Sequence, residues 1–91
     1  MSNKAKNAVK TFVNYLELKT RNKKVESVDL LIEESRELIK FNEWGLALEN
    51  LLENLNEMEY KLDNKEIDLV QNALVTMEID PKDWNILQKL T

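Results

Sequence analysis

Gly45 is the only glycine in this chain and Pro81 the only proline, and that scarcity limits what 91 residues can become. Tight hairpins rely on glycine to supply positive φ and on proline to preset φ. A fold of many short strands is therefore disfavoured, and a few long helices are favoured. The residues are 43% hydrophobic and 33% charged, which suits a compact helical domain and argues against disorder. The length predicts a single domain, residues 1–91, with one modest core and no room for an elaborate active site.

Apolar periodicity locates the helices. Ala5, Ala8, Val9, Phe12, Val13 and Leu16 recur at steps of three and four, with Lys6, Lys10 and Arg21 opposite, and predict a helix over about 3–21. The polar run TRNKK, residues 20–24, breaks the pattern. It resumes with Val28, Leu31, Ile32, Ser35, Leu38 and Ile39, a second helix over Glu26–Lys40. A third carries Ala47, Leu48, Leu51, Leu52, Leu55 and Met58 on one apolar face and is expected to be the central helix. A fourth carries Ile67, Val70, Ala73, Leu74 and Met77, and a short terminal helix carries Trp84, Leu87 and Leu90. No segment alternates with the period of a strand, so the expected fold is all-α, a compact bundle of about five helices.

The helix starts have their own chemistry. In FNEWGLALENLLENL, residues 41–55, Asn42 reads as the N-cap of the third helix, which puts Phe41 and Leu46 at hydrophobic-staple spacing and Gly45 at N3. A glycine there loses helix propensity, so its expected gain is close packing against a neighbouring helix, with a partner contact as the alternative. Asp63 and Glu66 have capping-box spacing ahead of the fourth helix. Asp80, Pro81 and Asp83 suit the first turn of the last one.

Absent residue types narrow the chemistry. With no Cys there is no disulfide and no thiolate zinc site, and with no His the commonest general base and metal ligand are missing. There is no glycine-rich phosphate loop and no HExxH helix. Glu49 with Glu53, or Glu33 with Glu37, form stripes rather than convergent oxygen cages, and Lys65 and Ile67 spoil any likeness of DNKEID to a calcium loop. No enzyme activity, cofactor or metal is expected. No apolar run approaches the roughly 20 residues of a membrane span and the N-terminus lacks a signal-peptide core, so a cytoplasmic protein is expected.

Charge is unevenly placed. Residues 1–24 hold seven Lys/Arg against Glu17 alone, a net +6, whereas residues 25–91 hold six against sixteen Asp/Glu, a net −10. The acidic majority repels nucleic acid and phosphorylated ligands and speeds encounter with a basic protein. The lysines of the first helix can touch phosphate, but without interleaved aromatics they make a poor nucleic-acid surface.

The sharpest signal is on the third helix, where Glu49, Glu53 and Glu57 lie four apart on the face opposite the leucines, with only Lys61 spaced to relieve them. The second helix is the contrast, because Arg36 and Lys40 follow Glu33 and Glu37 by three. Each uncompensated like-charged pair costs about 0.2–0.5 kcal/mol. The stripe reads either as a solvated face or as a docking surface for a cationic partner. Trp44 and Trp84 read as core anchors, with an interface role as the alternative.

The segment from FNEWGLALENLLENL to IDPKDWNILQKL, about residues 38–90, resembles the small MafI-type immunity proteins that bacteria encode beside polymorphic or contact-dependent toxins. The matching features are an acidic residue before Trp44–Gly45, the LALENL run of residues 46–51, an acidic fourth helix and a tryptophan opening the last one. The resemblance implies a non-enzymatic protein that binds and silences the C-terminal domain of its cognate toxin. Such toxins are often basic nucleases, for which an acidic helical plug is physically sensible. Glu49, Glu53 and Glu57 are assigned to that contact from charge and spacing, not from the family. A monomer is the expected state. A helical adaptor using an exposed apolar groove, and a DNA-binding regulator using the first helix, are the competing readings.

Overall fold

Four helices form where the apolar periodicity places them, in a computed structural model that describes residues 4–21 and 26–79. They are α1 (Lys4–Arg21), α2 (Glu26–Lys40), α3 (Trp44–Glu57) and α4 (Asn64–Thr76), with no strand among the described residues. The expected terminal helix, with its Asp80 cap and with Trp84, Leu87 and Leu90, lies outside the described residues.

Each helix buries most of the stripe its spacing predicts: Val9, Phe12, Val13 and Leu16 from α1, Val28, Ile32 and Ile39 from α2, Leu48, Leu51, Leu52 and Leu55 from α3, and Val70, Ala73 and Leu74 from α4. Met58, expected on the α3 face, is instead the C-cap beyond its last turn and is exposed. The central element is α1 rather than α3. It packs against all three other helices and most extensively on α4, while α2 and α3 make the other large pairing. Most of the packing of α3 is taken by α2, whereas α1 divides its surface among α4, α2 and α3. Buried Thr20 and Ser35 return their hydroxyls to the carbonyls of Leu16 and Leu31, so each is satisfied inside its own helix. No helix among the described residues is long and apolar enough to cross a membrane.

The helix ends differ from expectation at one place. Asn42 does not cap α3; it has φ 63° and closes α2. Its N–H donates to the Ile39 carbonyl at 2.9 Å, and the N–H of Glu43 donates to the Leu38 carbonyl at 2.8 Å, the two bonds of a Schellman motif. Glu43 is then the N-cap of α3 and makes no side-chain cap bond. The expected staple dissolves with the shift of register: Phe41 and Leu46 are 69% and 51% exposed. Asparagine is favoured both at N-caps and in the left-handed C′ position, so the residue alone does not distinguish the two ends.

The same motif closes α3 and α4. Glu59 (φ 59°) and Tyr60 donate to Asn56 and Leu55, and Glu78 (φ 61°) and Ile79 donate to Val75 and Leu74. Half-buried Tyr60 and Ile79 pack on the core beyond each closure. The one glycine takes no part in this, since Gly45 has no positive φ. It falls at N2 of α3, and among the described residues a Cβ built there meets only the Met77 Sδ, at 3.9 Å, an ordinary contact. Among the described residues the expected steric need for glycine is therefore absent, because alanine fits.

Two outcomes follow for stability. Gly45→Ala should stabilise the protein by up to about 1 kcal/mol, through helix propensity and a less flexible unfolded chain; a lower urea midpoint would show that the site is tighter than it looks. Glu59→Gly and Glu78→Gly should each add about 0.5–1 kcal/mol. Each relieves a left-handed side chain and removes a negative charge from a helix C-terminus. Urea unfolding that shows no gain for either variant would remove strain as the explanation.

Candidate functional site

The spacing that buries Leu48, Leu51, Leu52 and Leu55 turns Glu49, Glu53 and Glu57 outward, and all three are exposed. Successive carboxylates on a helix at this spacing are separated by a rise of about 6 Å. Among the described residues none of the three has a cation within ion-pair distance, and Lys61 does not reach Glu57. The neighbouring polar residues stay neutral and bond to each other, Asn54 Nδ2 donating to the Asn50 carbonyl at 2.8 Å and to its Oδ1 at 3.2 Å.

The compensation expected on α2 is also missing. Arg36 turns away from Glu33 and donates from Nη2 to Glu17 Oε1 of α1 at 2.8 Å, and Lys40 makes no ion pair with Glu37. An arginine at an interhelical seam can reach either helix, and only the packing of α2 on α1 selects Glu17. Like α3, α2 therefore presents exposed carboxylates, Glu33 and Glu37, that form no ion pair among the described residues.

Apolar groups flank the stripe at both ends, and the sequence reading missed them. Leu46 lies one turn before Glu49 on the same exposed face, and Phe41 sits in the turn leading into the helix. At the other end a shallow groove between α2 and α3 is lined by Leu31, Asn54, Glu57 and Met58. A surface with carboxylates along its length and apolar side chains at its ends can dock a basic partner and exclude water from part of the contact. Trp44, by contrast, is half-buried against the core, as an anchor would be, and Trp84 lies outside the described residues.

A second group of titratable residues joins the end of α1 to the start of α4. Asp63 and Glu66 form the expected capping box: Asp63 Oδ1 accepts from the Glu66 N–H at 2.7 Å, and Glu66 Oε1 accepts from the Asp63 N–H at 2.8 Å. Glu66 is fully buried, which its spacing did not announce. Lys19 Nζ donates to Glu66 Oε1 at 2.8 Å and lies 2.9 Å from Asp63 Oδ2, the Tyr60 hydroxyl donates to Glu66 Oε2 at 2.8 Å, and the Tyr15 hydroxyl donates to Asp63 Oδ2 at 3.2 Å. The Lys19 ammonium also stands 5.3 Å from the Tyr60 ring centre.

Each group responds to its neighbours. Burial by itself lowers the Lys19 pKa, but the hydrogen bonds to Glu66 and then Asp63 outweigh it and hold the ammonium above the usual lysine value. Burial, then the Glu66 carboxylate, push Tyr60 up to about 12. The Lys19 hydrogen bond, followed by the Glu66 N–H, holds Asp63 below the usual carboxylate value. Among the described residues no buried side-chain N or O lacks a partner, so this cluster is internally saturated and acts as a cross-link. Among those residues no three acidic side chains converge as metal ligands.

No family model, curated protein or solved structure matches the chain.

The cross-link makes stability pH-dependent at both extremes. Asp63 has a depressed folded pKa, so its contribution is present above the unfolded value of 3.8 and is lost as the pH falls below it. Tyr60 has a folded pKa of about 12 against 10.0 unfolded, so its contribution is present below pH 10 and is lost toward 12. Urea midpoints should therefore plateau between these limits, and Tyr60→Phe should flatten the alkaline decline. Lys19→Met strands a fully buried carboxylate and should cost about 2–3 kcal/mol. Glu66→Gln keeps the capping box and should cost less. The reverse order would mean that the charge on Glu66 is not what the cluster is built around.

Proposed function

We propose that this protein is an immunity protein, acting in the cytoplasm, that binds the C-terminal domain of a cognate bacterial toxin and occludes its active or substrate-binding surface. The toxin domain is expected to be basic and to be a nuclease. The observation that carries the reading is the run Glu49–Glu53–Glu57, exposed and without ion pairs among the described residues, on a helix whose opposite face is locked into the core. A rigid helix holds its charges at fixed spacing, so a basic cleft can meet them without an ordering cost. The resemblance of residues 38–90 to MafI-type proteins supports the same conclusion. So does the polarity of the surface, since carboxylates compete with phosphate for the Lys and Arg of a nucleic-acid cleft.

Phe41 and Leu46 favour one competing reading, a helical adaptor that seats an apolar partner there. The two readings separate by charge. Replacing Glu49, Glu53 and Glu57 together by Lys should leave the fold intact, because all three side chains are exposed. Binding to the toxin domain encoded beside the gene should then weaken. If the stripe lies at the rim, the association rate falls and the difference narrows at high salt; if it is desolvated at the centre, dissociation speeds up and each truncated pair costs about 2–5 kcal/mol. A folded triple variant that binds with unchanged rates at every salt concentration would remove the stripe from the contact. Failure of the wild-type protein to bind that toxin or protect cells from it would remove the immunity reading itself.

A further inference from the structure

The acidic composition conceals a local concentration of positive charge that folding creates. Lys6 and Lys10 of α1 and Arg36 and Lys40 of α2 line one groove with Ile39, and the groove has a volume of about 290 Å³. Each helix contributes its two cations four residues apart, so each pair is separated along its helix by about 6 Å and is like-charged at a repulsive spacing. Little among the described residues bonds to these cations. Lys6 Nζ donates to the neutral Asn42 Oδ1 at 3.1 Å, and Arg36 alone has a carboxylate, Glu17, at 2.8 Å. No ion pair is formed by Lys10 or Lys40 among the described residues. Glu33 and Glu37, spaced to neutralise Arg36 and Lys40, do not bond to them.

A groove lined by four cations and no carboxylate, with Glu17 paired to Arg36 and the α2 carboxylates on its far side, calls for an anion of several charges in a small volume. The size lies at the lower limit of ligand sites, which run from about 300 Å³ upward, and so suits a short chain of anionic groups better than a folded partner. An arginine fork and lysine point charges together match phosphate oxygens. No aromatic side chain lines the groove among the described residues, so nothing is provided for stacking a base. We propose that the groove between α1 and α2 is a binding site for a short chain of two or three linked phosphate groups, free or carried by a nucleoside. Glu33 and Glu37, one turn from Arg36 and Lys40 on α2, oppose an anion from outside the groove, whereas the four cations line it and act at contact distance, and charges beyond about 10 Å are largely screened at physiological salt.

The test is calorimetric titration of the full chain with inorganic tripolyphosphate, with adenosine triphosphate, with adenosine and with a pentaglutamate peptide. Tripolyphosphate should bind saturably at one site, and adenosine should not bind. Equal affinity for adenosine triphosphate means that the phosphate chain alone is recognised, and tighter binding means that it is taken with its nucleoside. The double variant Lys10→Glu with Lys40→Glu should bind tripolyphosphate at least tenfold more weakly. Lys61→Glu with Lys65→Glu, the same change in net charge at exposed positions away from the groove, should stay within twofold of wild type. Amide shifts of the wild-type protein on adding tripolyphosphate should be largest around Lys6, Lys10 and Lys40, a readout that does not depend on any variant folding. The proposal is overturned if the wild type shows no saturable binding, if the control variant loses as much as the groove variant, if pentaglutamate binds as tightly, or if the shifts fall elsewhere.

Discussion

The buried Glu66 carboxylate organises one end of this molecule. Taking a carboxylate out of water costs several kcal/mol unless it is fully paired, and here it receives the Lys19 ammonium, the Tyr60 hydroxyl and the Asp63 N–H together. Those donors come from the last turn of α1, the closure of α3 and the start of α4. The penalty for leaving any donor away therefore sets the relative position of three elements. Apolar packing alone tolerates small slides of one helix along another, whereas a buried charge with three directional bonds does not. The extensive pairing of α1 with α4 is aligned from this point.

The rest of the fold is held by simpler means. Schellman closures end α2, α3 and α4, and two of them use glutamate where glycine would relieve the backbone. They orient the following chain so that Tyr60 and Ile79 fold back onto the core. Glu43 serves both the close of α2 and the start of α3, which leaves three residues between those helices and forces their close packing. Rigidity on the buried side is what gives the outward faces a fixed charge pattern.

Those faces separate by sign. The exposed side of α3 carries carboxylates with apolar groups at its ends, and the seam between α1 and α2 gathers cations. One interhelical ion pair shapes the second arrangement: by taking Glu17 of α1 rather than Glu33, Arg36 stays in the basic groove. A single net charge therefore describes neither surface.

Apolar spacing by itself determined the positions of the four described helices and the stripe that each one buries, because a period of 3.6 follows from local geometry and burial rewards only one face. It also determined the Asp63–Glu66 box, whose partners are three residues apart, and the outward direction of Glu49, Glu53 and Glu57, which are the complement of the leucines. Asn42 was legible as a helix boundary but not as which end, since its side chain suits both. Other features were decided only when the helices packed. Glu66 meets a lysine 47 residues away, Arg36 chooses a glutamate on another helix over one in its own, and Lys6 and Lys10 come to face Arg36 and Lys40. Local spacing encodes what a helix can do with itself. Which charges become neighbours depends on the order in which whole faces are brought together, and no short window of sequence contains that information.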